Sequence, residues 1–168
     1  GTAAKIRHLN IVGNQAFADE DIVEDFESGS TNWLSWYKRD DQYSREKLSG
    51  DMEKLASYYQ DRGYVDFAVE STQVSISPDR KELFITANVR EGEIYTLTDI
   101  KLTGELVVNE DVLRRLISAK PGETYSRGKL ERASEAMTRV LSNIGYAFAE
   151  VTPVPTVDRE KREVAVTF

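Results

Sequence analysis

The sequence predicts an α+β fold that is built twice, as two tandem domains. In each, a three-stranded mixed sheet is covered by two antiparallel helices. The motif Arg62-Gly63-Tyr64 ends a helical pattern, and its Gly-Tyr pair recurs at Gly145-Tyr146. Residues 125–130 repeat residues 43–48 in five of their six letters. Each copy also follows the pattern strand, helix, helix, strand, strand, which predicts the order β-α-α-β-β.

The first copy opens with a short strand and a helix. Apolar residues favour a strand over residues 6–12, which ends at the turn dipeptide Gly13-Asn14. Asp19 begins a helix with further acids in its first turn, where they stabilise the positive end of the helix dipole. Ile22 and Phe26 predict an apolar face on this helix, because residues four apart lie on the same side.

A second helix precedes the first Gly-Tyr motif. Ser44 is its predicted N-cap, and Gly63 is expected just beyond its end at positive φ, as is Gly145 in the second copy. The helix carries a single apolar stripe: Leu48, Met52, Leu55 and Tyr59. This spacing of three and four residues predicts that the helix packs on the sheet.

An extended run over residues 65–77 follows the Gly-Tyr motif. Its apolar residues occupy odd positions first and even positions later: Val65, Phe67 and Val69, then Val74 and Ile76. Both sets can face one core only if an extra residue is inserted, since side chains alternate along a strand. We therefore predict a β-bulge near Ser71-Thr72-Gln73, then a turn at Pro78-Asp79 and a last strand over residues 83–89.

The second copy repeats this plan with shorter spacing. Its first strand leads to Gly104, Asn109 is expected to cap its first helix, and Pro121-Gly122 is expected to end that helix. The glycines after strand one lie 91 residues apart, whereas the Gly-Tyr motifs lie 82 residues apart. The first copy therefore holds about nine extra residues between its helices.

Those extra residues correspond to a loop with three aromatic side chains, Trp33, Trp36 and Tyr37. Because an aromatic side chain buries a large area, one or both tryptophans are expected to cover the small core. The alternative is that these residues are exposed anchors for a partner.

Prolines in the second copy predict the strand order. Two antiparallel helices between strands one and two leave strand two antiparallel to both others, so the order could be 1-2-3 or 1-3-2. Pro153 and Pro155 remove amide donors from one side of strand two, which a central strand could not tolerate. Strand two is therefore an edge, and the predicted order is 1-3-2.

The repeat also predicts the domain bounds. Residues 1–4 are interpreted as a cloning remnant, residues 5–91 as the first domain and residues 92–168 as the second, whose final strand is predicted to be cut short. Gly92 is the predicted hinge of a brief connection, since glycine permits bending. The two domains are expected to adopt a limited range of orientations.

Composition argues against several classes of function. The 168 residues carry a net charge of −7, which argues against nucleic acid and anionic lipid as partners, because both favour a basic face. The absence of cysteine leaves the redox compartment open. No apolar run reaches the roughly 18 residues that a membrane-spanning helix needs.

The sequence offers little that suggests catalysis, a metal site or a cofactor. Its only histidine, His8, lies on the polar side of a short strand, where an exposed side chain is expected. Asp19-Glu20-Asp21 lacks the spacing of a calcium loop and is explained by the helix N-terminus. We therefore predict a protein that is not an enzyme and that holds no metal or cofactor. A hydrolase of cell-wall or peptide substrates is the least favoured alternative.

Several segments resemble POTRA repeats of the Omp85 family. They are Ile11-Val12-Gly13-Asn14-Gln15-Ala16-Phe17, the helix with Tyr58-Tyr59 and Arg62-Gly63-Tyr64, and Val89-Arg90-Glu91-Gly92-Glu93-Ile94-Tyr95. The order of both copies, the longer loop in the first and the run Ser71-Thr72-Gln73-Val74-Ser75 are most similar to the third and fourth POTRA repeats of outer-membrane assembly factors in this family.

The resemblance implies a function in the periplasm. It implies an arm of several such repeats that precedes a membrane β-barrel in the bacterial outer membrane. It further implies that the arm docks accessory assembly lipoproteins and handles unfolded outer-membrane protein clients. The arm of another Omp85-type transporter, in two-partner secretion or organelle import, is the alternative.

The first domain, and not the second, is expected to bind a partner strand by β-augmentation. Its edge strand has no proline before Pro78, whereas Pro153 and Pro155 remove donors from the second domain's edge. The predicted partner-binding residues are Val65, Phe67, Val69, Ser71, Thr72, Gln73, Val74 and Ile76. The alternative is that the bulge and Glu70 protect this edge from pairing.

Overall fold

A computed structural model describes residues 6–28 and 45–168 of the chain, with side chains over residues 8–26 and 46–168. The first copy contains β1 (Ile6–Val12), α1 (Asp19–Ser28), α2 (Arg45–Gln60), β2 (Ala68–Ile76) and β3 (Glu82–Arg90). The second copy contains β4 (Thr96–Lys101), α3 (Glu110–Arg114), α4 (Arg127–Asn143), β5 (Val154–Asp158) and β6 (Glu163–Thr167). The predicted order β-α-α-β-β is confirmed in both copies.

Contacts group the chain into two units. The first unit comprises Gly1–Tyr59 and Asp66–Gly92, and the second comprises Gln60–Val65 and Glu93–Phe168. The domain bounds at residues 5–91 and 92–168 stay a prediction. Within the described ranges, no helix combines the length and apolar character needed to cross a membrane.

Each unit has a three-stranded mixed sheet with the predicted order 1-3-2. In the first, β3 is central, parallel to β1 and antiparallel to β2. In the second, β6 is central, parallel to β4 and antiparallel to β5. Pro155 lies in the edge strand β5, whereas Pro153 lies just before that strand. The expectation that proline marks an edge is therefore confirmed.

The buried side chains of the first unit come from both its sheet and its helices. They include Leu9 and Ile11 of β1, Ile22 and Phe26 of α1, Leu55 and Tyr59 of α2, and Leu83, Ile85, Ala87 and Val89 of β3. The predicted apolar faces of both helices are thus confirmed, although Leu48 and Met52 are only half-buried. The predicted cap Ser44 lies outside the described residues.

Both Gly-Tyr motifs have the predicted left-handed glycine, with φ of 98° at Gly63 and 109° at Gly145. After α4, the N–H of Tyr146 donates to Leu141 O at 2.9 Å and the N–H of Gly145 donates to Ser142 O at 3.1 Å. This pair of hydrogen bonds is a Schellman motif, which satisfies two carbonyl groups at the end of the helix.

Helix α3 is shorter than the sequence predicts. Asn109 caps it as expected, because its side chain accepts a hydrogen bond of 3.0 Å from Asp111 N. The helix ends at Arg114, well before Pro121-Gly122, so the expectation that these two residues end it is wrong. Hydrogen bonds between residues three apart follow Arg114, and they tighten the chain into a turn that does not continue the α-helix.

Candidate protein-binding edge

Strand β2 forms one edge of the first sheet. It pairs with β3 along one side, and none of the strands described in residues 6–28 and 45–168 pairs with its other side. An unpaired side presents amide and carbonyl groups that another extended chain can bind. With nine residues, β2 is long enough to pair with a partner strand over several hydrogen bonds.

A β-bulge interrupts the pairing of β2 with β3. Val69 pairs with Val89 and Ser71 pairs with Asn88, so Glu70 is the inserted residue. The predicted bulge is confirmed in kind, but it lies just before the predicted tripeptide 71–73 and not within it. An extra residue at Glu70 or within residues 71–73 would equally bring the odd-numbered and the even-numbered apolar residues onto one face of the sheet. The apolar pattern alone therefore could not distinguish the two positions.

The insertion places the apolar residues of β2 on the core side of the sheet. Val74 and Ile76 lie opposite Ile85 and Leu83, which are fully buried. However, 38% of Val74 and 41% of Ile76 stay exposed, because among the described strands only β3 lies beside β2. The two side chains therefore face the core as predicted without being buried in it.

Val65 and Phe67 lie before β2, so their assignment to the edge strand is wrong. Val65 is in a turn, where its N–H donates to Gly63 O at 3.0 Å and its side chain packs against the core of the second unit. Phe67 is buried and stacks on the ring of Tyr59, with a centroid distance of 4.2 Å. Alternating apolar residues continue through this turn, and the pattern therefore mimics a longer strand.

Charge is concentrated at one end of the β2 edge. Residues 71–76 include no charged side chain. Glu70 Oε1 lies 3.9 Å from Arg90 Nε, and both side chains are exposed, so this ion pair contributes little to stability. The charged groups that deter strand pairing in many proteins are thus absent from two thirds of the strand.

A hydrogen-bonded turn holds the other end of β2 beside β3. The Asp79 carboxylate accepts hydrogen bonds from the Ser77 hydroxyl at 2.5 Å and from the Lys81 N–H at 3.0 Å. These bonds, the one from Ser77 foremost, lower the pKa of Asp79 below its ordinary value of 3.8. Arg80 in this turn has a φ of 58°, a left-handed conformation that is uncommon for a residue with a side chain.

The corresponding edge of the second unit is β5, and it is the poorer candidate for strand binding. It has five residues, of which Pro155 has no amide donor. The predicted contrast between the two edges therefore has a structural basis in both length and donor content.

The aromatic loop residues and the predicted hinge glycine are not part of β2. Trp33, Trp36 and Tyr37 lie outside the described residues. Gly92 has a φ of 77°, and a Cβ built there would lie 3.4 Å from Asp66 Cβ. This conformation explains why glycine occupies the position, while its action as a hinge stays a prediction.

His8 is exposed on the face of the first sheet that points away from the core, as expected. Its ring stacks on Phe84 with a centroid distance of 4.8 Å, and its Nε2 lies 3.2 Å from Glu82 Oε1. In the part of the chain that the structure describes, no cluster of three or more histidine, aspartate or glutamate side chains is arranged to hold a metal ion.

The sequence pattern does not reveal an apolar surface near the C-terminal end of α4. Four large side chains of this surface are exposed: Leu106, Val107, Tyr146 and Phe148. The only signal is the alternation in Tyr146-Ala147-Phe148-Ala149, and this alternation equally indicates a half-buried strand.

Comparison with known proteins identifies the fold and the family. The family model named POTRA, described as a surface antigen variable number repeat, matches residues 4–92 and 95–168. The solved structure of Haemophilus influenzae BamA POTRA3-5 superposes with a TM-score of 0.73 at 23% identity, covering 98% of this chain and 64% of that chain. At this identity the superposition supports the fold alone.

Two curated relatives are outer membrane protein assembly factors named BamA. The one from Buchnera aphidicola is 32% identical over 170 residues, which cover 100% of this chain and 27% of that protein. The one from Neisseria meningitidis is 27% identical over 165 residues, which cover 98% of this chain and 21% of that protein. This chain thus spans about a quarter of the length of these relatives, and it belongs to the POTRA family, with two tandem POTRA repeats similar to those of BamA.

Proposed function

We propose that these two POTRA repeats are a periplasmic, non-enzymatic protein-binding scaffold of an outer-membrane β-barrel assembly machine. The names of the curated relatives support this assignment over the arm of another Omp85-type transporter. The partners in this proposal are accessory assembly lipoproteins and unfolded outer-membrane protein clients. The parent protein continues, in this proposal, into further POTRA repeats and a membrane β-barrel.

The observation that carries the proposal is that none of the described strands pairs with the outer side of β2, which lies beside exposed apolar side chains. A strand added there would bind the amide and carbonyl groups of every second residue in 71–76, because those of the residues between them point toward β3. Its own side chains would lie next to Val74 and Ile76, whose exposed area would become buried. Backbone groups would supply most of the affinity, so many client sequences could bind.

Magnitudes indicate that this binding is weak. An added strand gains roughly four to six backbone hydrogen bonds, each worth a net of about 0.5–1.5 kcal/mol before the cost of ordering the partner. Burial of part of Val74 and Ile76 adds on the order of 1 kcal/mol. A weak, sequence-tolerant contact suits a scaffold that receives extended chains and passes them on.

Protection of the edge is the competing interpretation. A bulge and a nearby charge are common means by which proteins prevent strands from pairing at an edge. In β2 both occur at Glu70, near the start of the strand, and they leave residues 71–76 uncharged. This asymmetry favours binding over protection.

The test substitutes proline separately at Gln73 and Val74. Amides of consecutive strand residues point to opposite sides, so one substitution removes a donor from the free edge and the other disrupts pairing with β3. Thermal unfolding and amide NMR spectra identify the variant that keeps the fold. In that variant, we expect binding of an extended client peptide and of an accessory assembly lipoprotein to fall severalfold.

Val157→Pro in β5 is the matched control. Val157 lies two residues after Pro155, so its amide points to the same side of the edge strand. Its side chain also packs against the core of the second unit, so the same thermal unfolding and amide NMR spectra check that the control keeps its fold. We expect both binding activities to persist in this control. Full binding by the folded β2 variant would show that the edge of the first unit is not the site.

A further inference from the structure

A cavity of about 350 Å³ opens in the second unit beside the edge strand β5, and all the residues that line it belong to this unit. Its apolar walls include Leu130 of α4, Val166 of β6 and Pro155 of β5. Leu130 and Val166 are buried core residues, and Pro155 lies opposite Val166 in the sheet. The cavity therefore lies where the core meets the outer strand. Its volume is at the low end of the roughly 300–1,000 Å³ of small-ligand sites.

Tyr125 brings a buried polar group to this cavity. Its side chain lines the cavity and is 8% exposed, yet its hydroxyl forms no hydrogen bond with any residue that the structure describes. Burial raises the pKa of this hydroxyl above the ordinary value of 10.0, so the group keeps its proton and stays a donor. Buried polar groups nearly always have a partner. A donor without one at a cavity wall therefore indicates a contact with a bound molecule.

Charged side chains surround the same end of the cavity. The charges of Arg127, Glu131 and Asp61 all act on the Tyr125 phenol, which places its hydroxyl near them. Arg127 Nε donates to Glu131 Oε1 at 2.8 Å, and its Nη1 donates to Gln60 Oε1 at 2.5 Å. Its Nη2 forms no hydrogen bond with a described residue. The guanidinium is thus fixed in place and offers a second donor to the cavity.

These groups favour a ligand that combines an apolar body with a neutral acceptor. The hydroxyl of Tyr125 and Nη2 of Arg127 both require an acceptor. The nearby charges, one positive and two negative, disfavour a carboxylate or a phosphate in that role. The apolar walls gain stability when they cover an apolar group. A peptide carbonyl next to a large apolar side chain has both properties.

We propose that this cavity binds one large apolar side chain of a partner polypeptide, whose adjacent backbone carbonyl accepts a hydrogen bond from the Tyr125 hydroxyl. The site receives a side chain, whereas the proposed site on β2 receives a strand. It can therefore act at an edge where Pro155 offers no amide donor. The proposal rests on the proposed function only in that the partner is a polypeptide.

Titration of the 168-residue chain with N-acetylphenylalaninamide tests the site directly. This probe carries a phenyl group and neutral carbonyl groups. We expect it to shift the amide NMR signals of Tyr125, Leu130 and Val166. N-acetylglycinamide lacks the side chain and N-acetylphenylalanine carries a negative charge, so both should bind severalfold more weakly. No shift at these residues, or equal binding of either control compound, would overturn the proposal.

Tyr125→Phe removes the hydroxyl and keeps the ring. The melting temperature should not fall, because the hydroxyl has no hydrogen bond to lose among the described residues. Binding of N-acetylphenylalaninamide should weaken severalfold. Tyr146→Phe is the matched control, since Tyr146 is half-exposed and does not line this cavity, and it should change neither quantity.

The competing interpretation is that water alone solvates the Tyr125 hydroxyl. Equal affinity of Tyr125→Phe and the parent for the probe would show this and overturn the proposal. A lower melting temperature of Tyr125→Phe would show that the hydroxyl has a structural partner, which equally contradicts its assignment to a ligand.

A competition measurement tests whether the partner is a polypeptide. An extended peptide with one central phenylalanine should displace the probe, and the same peptide with serine at that place should not. Failure of the phenylalanine peptide to displace the probe, or equal displacement by both peptides, would contradict the proposal. The folded proline variant of β2 should bind the probe like the parent, so a failure of strand binding and a failure of this site are measured separately.

Discussion

The Tyr59 hydroxyl donates a hydrogen bond of 2.7 Å to Glu91 Oε2, and this bond ties the last turn of α2 to the residue that follows β3. The Glu91 carboxylate also accepts hydrogen bonds of 3.0 Å from Gln15 N and from Ala16 N in the loop between β1 and α1. One carboxylate therefore joins three parts of the first unit.

We expect Glu91→Ala to destabilise the first unit by about 2–3 kcal/mol, because hydrogen bonds to a charged group are stronger than neutral ones and their donors would lose this acceptor. Tyr59→Phe removes one of these bonds and should cost about 1 kcal/mol. Urea unfolding measures both. Glu70→Ala is the control, since its exposed ion pair should change stability by less than about 0.5 kcal/mol. Equal effects of the Glu70 and Glu91 substitutions would contradict the role of Glu91.

The two helix-ending glycines should respond unequally to alanine. Gly145→Ala introduces a Cβ at positive φ into open space and should cost about 1 kcal/mol. Gly63→Ala has the same backbone strain, and its Cβ would also lie 2.6 Å from Thr124 Cγ2 and 2.9 Å from Ile94 Cγ2. Its cost should therefore exceed that of Gly145→Ala by at least about 1 kcal/mol. Thermal unfolding of the two variants measures this difference, and an equal loss would show that the contacts around Gly63 relax freely.

The N-cap of α4 offers a graded test of helix capping. The Ser126 hydroxyl accepts a hydrogen bond from Lys129 N at 3.4 Å, and its backbone is extended, as is usual for a cap. Ser126→Ala should cost about 1 kcal/mol, whereas Ser126→Gly should cost only a few tenths of a kcal/mol. Chemical unfolding distinguishes the two. A glycine variant as unstable as the alanine variant would indicate that Ser126 acts through packing and not as a cap.

Asp79 should show a pH dependence of known sign. Its pKa is lowered below 3.8 in the folded chain by the Ser77 hydroxyl and then by the Lys81 N–H, so the ionised carboxylate stabilises the turn. This contribution is fully present above the unfolded pKa and is lost as the pH falls through the lowered, folded pKa. NMR titration of the Asp79 carboxyl should give a midpoint below 3.8, and Ser77→Ala should move that midpoint upward. An unchanged midpoint in Ser77→Ala would rule out this cause.

Local chemistry in the sequence was sufficient to predict the topology. Proline cannot donate a hydrogen bond, so Pro153 and Pro155 predicted an edge strand, and the internal repeat extended the order 1-3-2 to the first copy. Glycine tolerates positive φ, so the Gly-Tyr motif predicts how both long helices end. The apolar residues change from odd positions at Val69 to even positions at Val74, and a strand that turns both toward one core needs a bulge between them.

Only the tertiary structure decided which apolar residues are covered. A period of two places Val74 on the core side of β2, but its exposure depends on whether a second strand lies beside β2, and none of the described strands other than β3 does. The Gly-Tyr motif is buried at Tyr64, which forms a bridge with Ile94. It is half-exposed at Tyr146, where none of the described residues forms an equivalent bridge. Sequence periodicity reports the direction of a side chain along its own element, whereas burial is set by residues distant in sequence that pack against it.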